Sequence, residues 1–495
     1  MSSASCSLAL RHGPAADAPL ASFRDPAGLV FSHEGRLLRL VRPSALPDLE
    51  AFLGSATYRE FTENGHIVRT ELLPAPHSRH LIPHRLLADR PDFSETPLVL
   101  EHETIWFPSY PYEWPAEMLH AAAILTLDLA SSLLPEGMGL KDATPYNILF
   151  RGPSPVFIDF LSFETRRARD PLWLPYAQFV RTFLLPLLVN QRLHLPLSQV
   201  FLSRRDGLEP EEVYNSLPPL RRLLPPYLTT VSIPTWLGRK HAAADNPVYH
   251  GKSDANPEKA RFILSALFTR LRRSLARLAP ASLASSRWSA YAADNCYTPE
   301  QTLAKEHFLR QALQDCRPLA LLDVGCNSGH YSAIAAAHGC RVVAIDRDPV
   351  VVGALWRTAR VNALDILPLV VDFARPSPAT GWSNAECGSF LQRARGAFDA
   401  VLMLAVLHHL LVSDRVPLPD LIRLTAELTT DLAVIEFVAP DDPLFRRLAR
   451  GRDHLHADLT RAYFETQSRR YFHLVRHLHL PGATRHLYLL RKKAL

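Results

Sequence analysis

Between Leu321 and Asp346 two apolar runs enclose a stretch with helical spacing. The apolar run LLDV turns through Gly325, Asn327 and Gly329 into a segment with helical spacing at Tyr331, Ile334 and Ala335, and a second apolar run, RVVAID, closes on Asp346. Short apolar runs on either side of a helix predict a βαβ unit whose strands are buried on both faces. The same beat continues downstream. Asp348-Pro349 opens the next helix, ILPLVVDF (366–373) is a third strand ending in Asp372, FDAVLMLAVLHHLL (398–411) is a fourth strand running into a helix, and DLAVIEFVAP (431–440) is a fifth. After a charged helical passage, YFHLVRHLHL (471–480), the Pro481-Gly482 turn and RHLYLLRKK (485–493) form a hairpin pattern. An alternating βα series that ends in an antiparallel hairpin is not the plain dinucleotide-binding topology.

Upstream the pattern is α+β. GLVFSHEGRLLRLV (28–41) predicts two strands around His33-Glu34-Gly35, followed by a helical run from Pro47 to Phe61. HIVRTELL (66–73) and LVLEHETIWF (98–107) are strand candidates, and Ala116 to Leu134 has helical spacing at Leu119, Ala123, Leu127 and Leu134. Proline-interrupted helices continue from Leu172 to about Trp236. Asn256-Pro257-Glu258 caps a helix with leucines at 264, 267, 271, 275 and 278 on one stripe and Arg270, Arg272, Arg273 and Arg277 on a face read as solvated. The small-residue run LAPASLASS (278–286) marks a boundary, after which Thr298-Pro299-Glu300-Gln301 caps a helix leading to Cys316. The expected organisation is a frayed terminus at 1–25, an α+β accessory domain at 26–280 and an α/β domain at 286–495.

Composition narrows the function classes. With 47% hydrophobic and 21% charged residues among 495, the chain has ample material for a core and is not globally disordered. The formal charge of +6 comes from scattered arginines, which gives no strong nucleic-acid signal. Six cysteines lie far apart without CxxC pairs or matching histidine spacing, so neither zinc nor a disulfide framework is expected. The N-terminus lacks a signal-peptide core and no apolar run reaches the length of a membrane span, so a cytoplasmic location is expected.

The glycine turn, free helix amides and a carboxylate at the next strand's tip suit a nucleoside. The ordered set DVGCNSG, Asp346, Asp372-Phe373 and FDAVLMLAVLHHL resembles class I S-adenosylmethionine-dependent methyltransferases over 286–495. The resemblance implies a Rossmann-like, mostly parallel seven-stranded sheet with a terminal antiparallel hairpin, and S-adenosyl-L-methionine as cofactor. In that pattern Asp323 and the Gly325–Gly329 loop, with Cys326 and Asn327, hold the methionine end. Asp346 takes the ribose hydroxyls, Asp372 and Phe373 meet the adenine, and Leu404 and Ala405 line the floor beneath the sulfonium. His408 and His409 are candidate general bases, with a loop-bracing role as the alternative. Trp288, Tyr291, Tyr297 and Lys305 lie where a lid would sit, or pack as ordinary aromatics and their neighbour.

KDATPYNI (141–148) and IDFLSFE (158–164) carry a second resemblance, to the catalytic loop of protein-kinase-like and aminoglycoside-kinase-like enzymes. There Asp142 would orient an acceptor hydroxyl, and Asn147 and Asp159 would hold magnesium. Leu140 stands where that family has histidine, and no glycine-rich phosphate loop precedes it, so a polar network bracing a turn is the expectation and no metal is assigned. With FPSYPYEW (107–114), the whole chain resembles two-part bacterial methyltransferases that include the host-specific nodulation type. The acceptor stays open among small molecules, saccharides or lipids, and macromolecules. The alternative is a scaffold with a pseudokinase-like half and a degenerate methyltransferase half; a nicotinamide dehydrogenase is a third, disfavoured by the glycine spacing.

Overall fold

The computed structural model describes residues 25, 27–74, 79–83, 98–240, 256–280 and 297–494. Strands β1 (Gly28–His33), β2 (Arg36–Val41), β3 (Thr70–Leu73) and β4 (Leu98–His102) form an antiparallel sheet in the order β1-β2-β4-β3. The β1–β2 turn places Glu34 at φ 49° and Gly35 at φ 76°, the left-handed pair that matches a two-residue hairpin to strand twist. The helical run expected over Pro47–Phe61 is two helices, 46–53 and 56–63. It breaks at Ser55, whose side chain accepts from Tyr58 N at 2.9 Å and restarts the helix. The strand expected over 66–73 is shorter, because Val68 N donates to Phe157 O and Ile67 pairs with Phe157 away from the sheet.

The next long element is α1 (Ala116–Leu133). The stretch Ala116–Glu136 has the length and mean hydropathy, 1.4, of a bilayer span, yet 61% of its apolar window is buried in the protein. It is a core helix. Two small ladders follow, β5 (Met138–Leu140) with β8 (Phe163–Thr165) and β6 (Ile148–Arg151) with β7 (Ser154–Phe157). Helix α2 (Pro257–Arg277) lies on α1, where its Arg272 pairs with Asp128 and its Leu275 carbonyl meets His120 Nε2 at 3.0 Å.

The C-terminal sheet comprises β9 (Ala320–Val324), β10 (Arg341–Asp346), β11 (Ile366–Val370), β12 (Phe398–Met403), β13 (Thr429–Val438), β14 (Phe472–His479) and β15 (Arg485–Lys492). Its order is β11-β10-β9-β12-β13-β15-β14; the first five strands are parallel, and β15 runs antiparallel to both neighbours. This is the mixed sheet with a terminal hairpin that the alternation implied, flanked by α3 (Pro299–Cys316), α4 (His330–Ala337), α5 (Pro349–Val361), α6 (Leu407–Val412), α7 (Leu418–Leu428) and α8 (Arg461–Ser468). Strand order reverses between β9 and β12, and the carboxyl ends of strands at such a reversal open a crevice.

The two halves share an interface. Phe107 packs on Phe390 and Phe398, and Trp356 Nε1 donates to Pro153 O at 2.9 Å. Glu113, fully buried, accepts from Arg393 and Ser377, while Glu117 pairs with Arg357. Much of the boundary expected at 278–286, with Trp288 and Tyr291, lies outside the described residues.

Candidate active site

The loop after β9 is shaped by close packing. Gly325 has φ 74°, and a Cβ there would lie 2.8 Å from Val406 Cγ2; Gly329 has φ 82°, and a Cβ there would lie 2.1 Å from Leu355 Cδ1. Side chains other than glycine resist both the conformation and the contact. Asn327 also adopts positive φ, at 50°. Gly325 N and Cys326 N donate to Ile345 O at 2.9 and 3.0 Å, joining the loop to the end of β10. The next residue completes the clasp: Asp346 Oδ2 accepts from Asn327 N and its Oδ1 from Asp348 N, each at 3.0 Å. Burial raises the Asp346 carboxyl above its ordinary range, and these two amides oppose the rise. Each oxygen keeps a lone pair beyond the bond to its amide.

Above this loop is a cavity of about 410 Å³ at the carboxyl ends of β9 to β12. Gly325, Cys326, Asn327 and Asp346 form one wall, Asp372 and Phe373 a second, and Leu404 and Ala405 a third. Ala405 sits at φ 55°, a left-handed bend that turns β12 into α6. Asp372 Oδ1 accepts from Ala374 N at 3.0 Å, and Arg375 bridges from Asp372 to Asp414 on the cavity rim.

Two of the expected cofactor contacts are not on the wall. Asp323 is buried under the loop and accepts from Ser332 Oγ at 2.6 Å; burial lifts its carboxyl to about 6. Gly329 supports the loop against α5. The two histidines also separate. His409 lines the cavity, whereas His408 is 1% exposed, lies off the wall and has no hydrogen-bond partner on either ring nitrogen among the described residues. Burial and the neighbouring His409 hold His408 well below the ordinary imidazole range, so it is neutral near pH 7.

Tyr297 and Lys305 also line the cavity and belong to a buried charge cluster. Lys305 Nζ lies 2.7 Å from Glu436 Oε2 and 4.0 Å from the Tyr297 ring centre, and Tyr297 donates its hydroxyl to Glu436 Oε1 at 2.6 Å. Arg485 pairs with Asp442 at 2.8 Å and lies 3.6 Å from Glu436. Burial pushes the Lys305 ammonium down, and Glu436 pulls it back up. Burial alone would raise Glu436, yet Lys305 keeps it below its ordinary value. The sequence reading missed Glu436, Arg485 and Asp442. A lone glutamate inside the apolar strand AVIEFV was the available signal, because a carboxylate buried in a sheet requires a partner.

In the N-terminal half, Asp159 accepts from Arg39 Nη1 at 2.7 Å and from Ser162 Oγ at 2.5 Å, and Asn147 Nδ2 donates to the same Ser162 at 3.1 Å. Burial would raise Asp159, but Arg39 holds it below its ordinary value. Asp142 stands apart, accepting from Gln178 at 3.2 Å. Among the described residues no three His, Cys, Asp or Glu side chains cluster as metal ligands.

Residues 264–495 match a family model described as a methyltransferase domain. The match begins inside α2, a helix that packs on the N-terminal half. Over 471 residues, 94% of each chain, the protein is 29% identical to the nodulation protein NoeA of Rhizobium meliloti (strain 1021). Among solved structures, the N-methyltransferase NodS from Bradyrhizobium japonicum WM9 aligns with 40% of this chain and 98% of its own, at 17% identity and a TM-score of 0.30. The bifunctional kinase-methyltransferase WbdD aligns over 42% of both chains, at 19% identity and a TM-score of 0.28.

Proposed function

We propose that the C-terminal half transfers a methyl group from S-adenosylmethionine to an acceptor bound at the same cavity. One observation carries this reading: Asp346, Asp372, Phe373 and Leu404, at the tips of three parallel strands, line a single cavity of about 410 Å³. That size lies within the usual range for small-ligand sites. The donor set fits the cofactor. Asp346 has lone pairs left to accept from ribose hydroxyls, Asp372 has an oxygen free of backbone bonds for an adenine amino group, and Phe373 and Leu404 supply apolar walls. The sulfonium, when bound, supplies a methyl group already activated for displacement.

The protein's own work is then alignment and proton handling. The Asp346 clasp keeps the loop amides in place before any ligand arrives. Asp323 serves the loop from below through Ser332. Of the two adjacent histidines, His409 is the one on the cavity wall and would take a proton from an acceptor; His408, neutral and enclosed, packs within the turn. Lys305, Tyr297 and Glu436 anchor α3 to β13 and fix the wall on which the acceptor would rest.

We read the N-terminal half as kinase-like in its loop and structural in its use. Arg39 already neutralises Asp159, the carboxylate that a metal would require. The free thiols at Cys316, Cys326, Cys340 and Cys387 accord with a reducing compartment such as the cytoplasm.

Titration calorimetry of the full chain with S-adenosylmethionine tests the reading. Saturable one-site binding is expected, weakened at least ~10-fold in Asp346→Ala by loss of two charged hydrogen-bond acceptors. Undetectable binding by the native chain would defeat it. Labelled-methyl transfer into fractionated extract then identifies the acceptor.

A further inference from the structure

The segment from Leu217 to Lys240 buries Leu217, Tyr227 and Val231 yet leaves a larger set of apolar side chains outside. It forms a short 3-10 turn at Pro219–Leu223 and a helix from Leu228 to Lys240, tied together where Ser232 Oγ donates to Arg222 O at 2.6 Å. The helix buries Ser232 and Thr235 beside Val231, while Ile233, Trp236 and Leu237, which share one face at i, i+3 and i+4, are 39%, 38% and 52% exposed. On the turn, Leu220, Leu223 and Leu224 are 80%, 58% and 56% exposed. A surface helix ordinarily buries its apolar stripe and shows its hydroxyls to water. Here six large apolar side chains are exposed on the turn and the helix that the Ser232–Arg222 hydrogen bond ties together, and exposed apolar surface of this extent marks a site that meets something other than water.

Charge decides the occupant. Residues 217–240 contain Arg221, Arg222, Arg239 and Lys240 and no aspartate or glutamate. Arg222 stacks over the Tyr214 ring at 4.2 Å, and Trp236 Nε1 reaches Tyr214 OH at 3.4 Å, which fixes a cation and an indole at the border of the patch. A second copy of the chain is a poor fit, because a two-fold interface would set this cationic patch against itself. Leucines flanked by arginines, with tryptophan at the edge, are what the headgroup and acyl boundary of an anionic bilayer takes up. We infer that residues 217–240 dock the protein on an anionic membrane surface, with the leucines entering the interface and the arginines at headgroup level. This is peripheral attachment, independent of the methyltransferase reading and of α1, which stays in the core.

The test is cosedimentation of the full chain with vesicles of phosphatidylcholine, with and without phosphatidylglycerol, at low and high salt. Binding is expected to the phosphatidylglycerol vesicles and to fall with salt. The variant Leu220→Ser/Leu224→Ser/Leu237→Ser is expected to lower the partition coefficient on the order of a hundredfold. Arg221→Glu is expected to lower it roughly tenfold. These side chains are exposed, so unchanged circular dichroism and melting verify that the variants fold. The inference is overturned if the native chain does not sediment with anionic vesicles, if it binds phosphatidylcholine equally well, if the triple variant binds undiminished, or if sedimentation velocity reveals a dimer that the triple variant abolishes.

Discussion

Replacing Glu113 by alanine probes how the two halves depend on each other. The carboxylate is fully buried and accepts from Arg393, Ser377 and, at 3.2 Å, Tyr110 N. Its loss strands a guanidinium that is itself only 8% exposed, among the rings of Phe107, Tyr110 and Phe390. Among the described residues Arg393 would keep the carbonyls of Pro108 and Gly388. Breaking a buried pair by removing one partner costs roughly 3–5 kcal/mol. If all 495 residues unfold together, the entropy of unfolding is about 1 kcal/mol/K and a loss of ~4 kcal/mol lowers the melting temperature by about 4 °C. Differential scanning calorimetry should therefore record one transition, displaced as a whole. Glu113→Leu/Arg393→Met, which removes both charges and retains volume, should recover most of the loss. A split endotherm in which one part keeps the native temperature would refute the coupling.

Asp323, held to about 6 against an ordinary 3.8, binds its proton more tightly folded than unfolded, so stability falls as pH rises from about 4 to 6, by roughly 3 kcal/mol in all. Asp323→Asn should remove that slope in urea titrations and raise the midpoint at pH 7.5; an unchanged slope would assign it elsewhere. Gly329→Ala places a methyl against Leu355 at a left-handed φ and should cost about 2 kcal/mol or more, with cofactor affinity falling alongside; a variant that melts and binds normally would mean that the loop tolerates a side chain at this position. Lys305→Met leaves Glu436 with Tyr297 and Arg485 and should destabilise by roughly 3 kcal/mol, an effect that Lys305→Met/Glu436→Leu should largely relieve. Additive effects in that pair would deny the ion pair its importance.

The parallel strands were legible because each is a short apolar run bounded by a turn residue, and the glycine loop because two of its positions tolerate no side chain. Strand ends bring Asp346 and Asp372 to one cavity. What periodicity cannot convey is side-chain direction at a loop. Asp323 and Asp346 look equivalent as strand-end carboxylates, yet one turns beneath the loop to Ser332 while the other clasps it from the cavity side. His408 and His409, adjacent in sequence, diverge for the same reason, since neighbours on a helix point about 100° apart. The cluster of Lys305, Glu436 and Arg485 joins residues up to 180 positions apart and has no local signature. In the N-terminal half, the pairing of Arg39 with Asp159 spans 120 positions and was equally invisible.

The arrangement of the terminal hairpin bears on how the protein is made. Strand β13 is flanked by β12 on one side and β15 on the other, and β15 is translated after every other strand of the sheet. While the ribosome is still adding the residues between Val438 and Arg485, the far edge of β13 has no backbone partner, and a long apolar strand with an open edge is a template for association with other chains. Within the run from Leu432 to Val438 the one charged residue is Glu436, the kind of residue that interrupts such an apolar strand.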